Sequence, residues 1–80
     1  MFFVYIIECA DKTLYTGWTK DVAKRIIEHN ESKRGAKYTH GRRPVVLRYT
    51  EKFKSESLAR KREVEIKKLS RQKKLALVRL

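Results

Sequence analysis

Two phenols and a cation–imidazole pair stand out in the first thirty residues. Tyr5 lies in the run Phe2-Phe3-Val4-Tyr5-Ile6-Ile7, and Tyr15 follows ten residues later in Tyr15-Thr16-Gly17. Arg25 and His29 are spaced i, i+4, so on a helix they share one face. Further on, Glu63 and Glu65 are carboxylates two residues apart. A phenol with its reference pKa of ~10 is a poor base unless its surroundings shift it. A guanidinium is a fixed fork for phosphate or carboxylate. Two readings are open for the tyrosines: edge aromatics of two strands, or two phenols facing one reaction centre.

The elements that must position these residues follow from periodicity. Phe2 to Glu8 is aromatic and β-branched and reads as a strand buried on both faces. Ala10-Asp11-Lys12 is a turn, and Thr13 to Gly17 is a second strand completing a hairpin. Gly17 permits a special backbone conformation or a close approach by another group. Thr19 is the expected N-cap of a first helix, with Asp21 in its first turn. Its apolar stripe is Val22, Ala23, Ile26 and Ile27, which puts Arg25 and His29 on the stripe's border beside Val22. Taken alone, such a pair reads as a snorkelling surface arginine and a boundary histidine.

Residues 30–44, NESKRGAKYTHGRRP, carry almost no apolar surface and read as a long structureless loop, a type that is usually functional or disordered. Val45 to Tyr49 is a third strand. Ser55 caps a second helix with Leu58, Ala59, Ile66 and Leu69 on its stripe. Ser70 starts a third, ending in Leu75, Ala76, Leu77, Val78 and Leu80. Glu63 and Glu65 border the second stripe about 160° apart, so one intact helix cannot aim both at one metal. Periodicity does not choose between them. Arg62 falls inside the stripe, where it would bury its stem and reach out with its head. The order β-β-α-β-α-α predicts an α+β fold, a small three-stranded, mainly antiparallel sheet flanked by helices, in one domain over residues 1–80.

Charge bounds the partner. Twenty-one Lys and Arg face nine Asp and Glu, for a net charge of +12. Residues 1–29 are balanced at four against four, whereas residues 30–44 hold five basic and one acidic and residues 55–80 hold nine and three. A basic excess of this size favours a polyanion, nucleic acid foremost. The single cysteine, Cys9, allows no internal disulfide and fits a reducing compartment. The longest apolar run, Met1 to Ile7, is far short of the roughly 20 residues of a membrane span and is no signal peptide. A cytoplasmic, soluble protein without membrane or small-molecule cofactor is expected. The sequence does not speak to oligomeric state.

Val4-Tyr5-Ile6, Tyr15-Thr16-Gly17, and then Arg25 and His29 on the next helix resemble the GIY-YIG nuclease superfamily, named for its two tyrosine tripeptides. The stretch Ala59-x-x-x-Glu63-x-x-Ile66-Lys67 resembles the segment that carries the family's metal-binding glutamate, which selects Glu63 over Glu65. The likeness covers essentially the whole chain and is nearest to small stand-alone members. The first tripeptide lacks its glycine, the second has Thr16 in its middle, and no asparagine follows Asn30, although some members use one.

The resemblance implies metal-dependent phosphodiester hydrolysis of nucleic acid, DNA above RNA, with low sequence specificity. Glu63 would hold a single Mg²⁺ or Mn²⁺, weakly until substrate phosphate completes the shell. Arg25 would meet the phosphate as charge develops. Tyr15 would activate water, Tyr5 would position it, and His29 would assist proton traffic or bind phosphate. Gly17 would shape the site. The loop residues Lys33, Arg34, Lys37, Tyr38, His40, Arg42 and Arg43 would grip the backbone, and Tyr38 could stack on an unpaired base. Two other classes fit the same composition: a nucleic-acid-binding module of this fold that does not cleave, and a basic protein-interaction domain.

Overall fold

A computed structural model describes residues 1–31 and 34–79. Lys33 and Leu80, both singled out above, lie outside the described residues. The chain runs β1 (Phe2–Glu8), β2 (Leu14–Thr19), α1 (Val22–Glu31), α2 (Lys37–His40), β3 (Val46–Phe53), α3 (Glu56–Lys67) and α4 (Arg71–Val78). The three strands form one antiparallel sheet in the order β2-β1-β3, with β1 at its centre. The expected α+β architecture holds. The addition is α2, a single turn inside the segment expected to be structureless.

Strand parity decides what each face carries. Val4 pairs with Trp18 and Ile6 with Thr16, so these side chains share one face. There Val4 and Ile6 are buried against Ala59 and Ile66 of α3, with Trp18, Leu69, Leu77 and Val78 packed around them. Tyr5 pairs with Gly17 and Ile7 with Tyr15, on the opposite face. Tyr5, Ile7, Cys9 and Val45 form the second cluster, closed by Tyr15 and Ile26. The continuous apolar run of β1 is thereby explained, since both of its faces are covered.

Several local expectations are corrected. Asp21, not Thr19, caps α1: its Oδ1 accepts from Lys24 N at 3.1 Å, while Thr19 Oγ1 accepts from Asp21 N one step earlier. The buried face of α1 is rotated away from the aliphatic stripe. Ile27 is 57% exposed and Ala23 is exposed, whereas His29 is fully buried. On α3, Leu58 lies outside the core, and β3 runs four residues past Tyr49. Arg62 does not reach into solvent. Its Nε donates to both carboxylate oxygens of Glu51 at 3.1 Å, and the Tyr49 hydroxyl donates to the same group. Ser55 and Ser70 do cap α3 and α4, accepting from Leu58 N and Lys73 N.

The 30–44 segment is tied down at both ends. Asn30 clamps Val45 by accepting from its N–H at 2.7 Å and donating to its carbonyl at 3.1 Å. Ala10 N donates to Arg42 O at 2.8 Å, docking the loop on the β1–β2 turn. Gly35 lies flat on α1: a Cβ there would fall 2.7 Å from Glu28 O and 2.8 Å from His29 Cα.

Candidate active site

Tyr5 and Tyr15 project from one face because Ile7, two residues along β1 from Tyr5, is the cross-strand partner of Tyr15. The Tyr5 ring crosses towards β2 over Gly17. A Cβ at Gly17 would fall 2.7 Å from Tyr5 Cζ and closer still to its oxygen, so only glycine leaves room for the phenol. Gly17 has no positive φ, and close approach alone accounts for it.

The Tyr5 hydroxyl lies 2.7 Å from His29 Nε2 and accepts from Arg25 Nε at 3.4 Å. His29 Nδ1 lies 2.9 Å from Thr39 Oγ1, and that hydroxyl donates to Ala36 O at 2.9 Å. The directions follow from the last bond. Thr39 has one hydroxyl proton, given to Ala36, so it accepts from His29 Nδ1–H. His29 Nε2 is then the acceptor, and Tyr5 donates to it. The result is a directed chain, Arg25 to Tyr5 to His29 to Thr39 to the Ala36 carbonyl. Tyr5, His29 and Thr39 are all buried.

Burial pushes the Tyr5 phenol up to about 12, with the Arg25 guanidinium opposing and the charges of Tyr15 and Glu63 adding to the rise. Burial, then Arg25, pushes His29 down to about 4. At neutral pH this pair is therefore a phenol donating to a neutral imidazole.

Tyr15 is placed differently. Its ring meets His29 edge-on at 5.4 Å and stacks on Tyr38 at 5.7 Å. Its hydroxyl has no hydrogen bond among the described residues and is not among the buried unpartnered atoms, so it is open to solvent. Glu63 on α3 is 18% exposed and pairs with Lys67 Nζ at 3.6 Å; that ammonium also lies 5.9 Å from the Tyr15 ring centroid. Glu65 is 54% exposed and pairs with Arg62 on another side of α3. A cleft of about 430 Å³ lined by Trp18, Thr19, Lys20, Arg25 and Glu28 opens beside the guanidinium. Arg25 is held there by Glu28 Oε1 at 3.1 Å and Arg34 O at 2.8 Å.

The model of the GIY-YIG catalytic domain matches residues 1–76. This chain belongs to the GIY-YIG family. It is 57% identical to the UPF0213 protein of Syntrophus aciditrophicus over 77 residues, spanning 96% of this chain and 88% of that one. It is 58% identical to a UPF0213 protein of Halobacterium salinarum over 77 residues, spanning 96% and 99%. The solution NMR structure of a UPF0213 protein from Bacillus halodurans superposes with a TM-score of 0.61 at 51% identity, over 98% of this chain and 83% of that one. The family is one of nucleases in general character.

Within this GIY-YIG chain, Tyr5, Tyr15, Gly17, Arg25 and His29 lie around one point, and Glu63 is close enough for its charge to act on Tyr5. The loop cations divide. Lys37 and His40 are exposed, whereas Arg42 bonds Asp11 Oδ2 at 3.0 Å and Tyr38 O at 2.8 Å, and Arg43 Nε bonds His29 O at 2.6 Å. These two arginines brace the loop against the site. The Tyr38 ring carries the Arg42 guanidinium at 4.1 Å and Tyr15 at 5.7 Å, so a base could stack on it only after one of them moved. Thr39 and Lys67 were not anticipated as site residues. Lys67 carried a signal, its i, i+4 spacing from Glu63. Thr39 carried none, because its contact is made from a loop.

The family's middle residue in the second tripeptide is replaced here by Thr16, which faces α3 and not the phenols. Its hydroxyl is the one buried side-chain polar atom without a partner among the described residues. The departure therefore costs packing on the far face and leaves the site intact.

Proposed function

We propose that this chain is a metal-dependent endonuclease that hydrolyses phosphodiester bonds in nucleic acid, DNA foremost, with low sequence specificity. One observation carries the reading: a solvent-open phenol, Tyr15, stands beside a buried and oriented Arg25–Tyr5–His29 chain, with a carboxylate in range. A purely structural cluster has no need of a phenol left open to water against a buried histidine that a second, guanidinium-bound phenol already holds.

Among the described residues no three His, Cys, Asp or Glu side chains gather as a cage. That composition does not suit a resident structural ion. It does suit Mg²⁺, which keeps most of its waters and takes one or two carboxylates plus substrate phosphate. Glu63 already holds a cation, the Lys67 ammonium. When bound, the ion would neutralise phosphate charge and favour ionisation of a bound water.

The chain's own residues then act as follows. Tyr15 gives its own proton to solvent and, as the phenolate, takes the proton of the attacking water. Arg25 faces the phosphate as negative charge builds on it, and its hydrogen bonds to Glu28 and Arg34 O hold the fork in place before substrate arrives. Tyr5 and His29 keep the inner wall dry and rigid, and the directed hydrogen bonds fix the guanidinium beside them. Low specificity is what a grip made on the phosphate backbone supports. The cations on the loop and on α3 and α4 grip phosphates of any sequence.

The test is cleavage of a panel of single-stranded, branched and duplex DNA and RNA with and without Mg²⁺. Wild type should cleave only with the ion. Glu63→Ala should abolish cleavage while nucleic-acid affinity stays within about twofold, since the phosphate grip lies elsewhere, and Glu65→Ala should retain activity. Tight binding without cleavage under every condition would favour the non-cleaving module instead.

A further inference from the structure

A second cleft, of about 170 Å³, is lined by Thr13, Leu14, Tyr38, Arg71 and Lys74. It lies next to the reaction centre, because Tyr38 forms its wall and also stacks on Tyr15 at 5.7 Å. It draws on three separate parts of the chain: the start of β2, the one-turn helix α2, and the first turn of α4. From these observations we infer that this cleft is a phosphate subsite, holding a second phosphodiester of the strand whose neighbouring phosphate lies at Tyr15. The inference rests on the nuclease reading above and extends it to α4, which that reading uses only as diffuse charge.

The chemistry of the lining selects an anion. Arg71 and Lys74 are a turn apart on α4, at i and i+3, so they project to the same side. Neither has a carboxylate partner among the described residues, whereas Arg25, Arg42 and Lys67 are each paired with one. Arg71 is pre-set: its Nη2 donates to Lys12 O at 2.9 Å, which leaves other N–H groups of the guanidinium to meet a ligand. Lys74 is half-buried, with its stem along the cleft. Asp11, the acid nearest in sequence to this turn, is neutralised by Arg42 at 3.0 Å. An unpaired, partly dehydrated ammonium beside a fixed guanidinium is a poor arrangement for an isolated fold and a good one for a phosphate.

The spacing agrees with a strand. The cleft lies one stacked ring, 5.7 Å centroid to centroid, beyond Tyr15, so a phosphate there belongs to a nucleotide close to the scissile bond. The strand would thus run from the Arg25 cleft across Tyr15 and past Tyr38 to α4. A phosphate at α4 would fix the scissile bond in register before the chemistry.

The experiment measures binding without cleavage. A labelled single-stranded 12-mer is titrated in EDTA across a salt series by fluorescence anisotropy. Arg71→Gln with Lys74→Gln is compared with Lys52→Gln with Lys54→Gln, which removes the same charge from two exposed positions at and just after the end of β3. The α4 pair should flatten the slope of log K on log salt by about 0.7, the value for one lost single-strand phosphate contact. The control pair should flatten it by less than half as much. Equal effects in the two pairs, or none, would overturn the subsite and leave the nuclease reading standing, since that reading is decided by cleavage and by Glu63→Ala. Should the α4 variant melt well below wild type, amide shifts of the wild-type protein on titration with the same oligonucleotide decide instead. Shifts at Thr13, Leu14 and Arg71 to Lys74 support the subsite, and shifts that leave both segments unmoved refute it. Failure of wild type to bind the oligonucleotide at all would refute both proposals.

Discussion

The Tyr5 hydroxyl is sealed from solvent and shared between a guanidinium and an imidazole, whereas the Tyr15 hydroxyl faces water. The same residue type is thus set to two tasks by burial alone. His29 shows the same logic in its titration. Its folded pKa of about 4 lies below the ordinary 6.5, so below pH 6.5 the unfolded chain binds a proton that the folded chain refuses. Stability therefore rises with pH between about 4 and 6.5, and acid removes it across that window, by up to about 3 kcal/mol for a fully buried group. Urea melts at steps between pH 4 and 7 should show this slope, and His29→Gln should flatten it. A slope that survives the substitution would assign the acid sensitivity to the carboxylates. Arg25, Arg43 and His40 all oppose a positive charge on His29, with Glu28 alone favouring it.

At the scale of elements, the one-turn helix α2 holds the site from behind. Thr39 fixes the tautomer of His29, so Thr39→Val would leave one buried donor, His29 Nδ1–H, without a partner, while the Ala36 carbonyl keeps the backbone N–H of residue 39. The expected loss is about 1–3 kcal/mol for that orphaned group, with Thr39→Ser restoring most of it. Chemical denaturation of the two variants checks this, and equal stability of Val and Ser would mean that the hydroxyl positions nothing. None of this could be read from periodicity, because α2 makes its contacts in a loop with no apolar repeat. Periodicity also misplaced His29. The aliphatic stripe of α1 set the expected buried face, but Ala23 and Ile27 face outward and the helix turns His29 inward. The sheet face beneath it offers a phenol for the imidazole to meet, and that polar match outweighs two methyl-bearing side chains. The element order, the β1–β2 hairpin and the caps at Ser55 and Ser70 were legible, since each depends on local chemistry or on a period of two, whereas the strand order and the pairing of Tyr5 with Gly17 came only with the structure. Choosing Glu63 over Glu65 needed the family resemblance. Their exposures of 18% and 54%, and the pairing of Glu65 with Arg62, give a physical reason for the same choice.

Over the whole molecule, the two faces of one small sheet are divided between tasks. The α3–α4 face carries most of the aliphatic core, and the α1 face carries the two tyrosines, Arg25 and His29. Basic charge lies on the loop, α3 and α4, and Arg25, Arg42 and Lys67 bring it up against the tyrosines of the site. Among the described residues no helix is long and apolar enough to cross a membrane.

The central claim, that Tyr15 is a reacting group and not scaffolding, is tested most directly by single-turnover cleavage with Tyr15→Phe, read beside its melting curve. The substitution keeps the ring stacked between His29 and Tyr38 and removes one solvent-facing hydroxyl. Stability should change by no more than about 1 kcal/mol. The rate should fall by about 10²–10⁴, the scale of a positioned general base. Cleavage by Tyr15→Phe at the wild-type rate, with stability unchanged, would contradict the assignment and leave the phenol a packing residue.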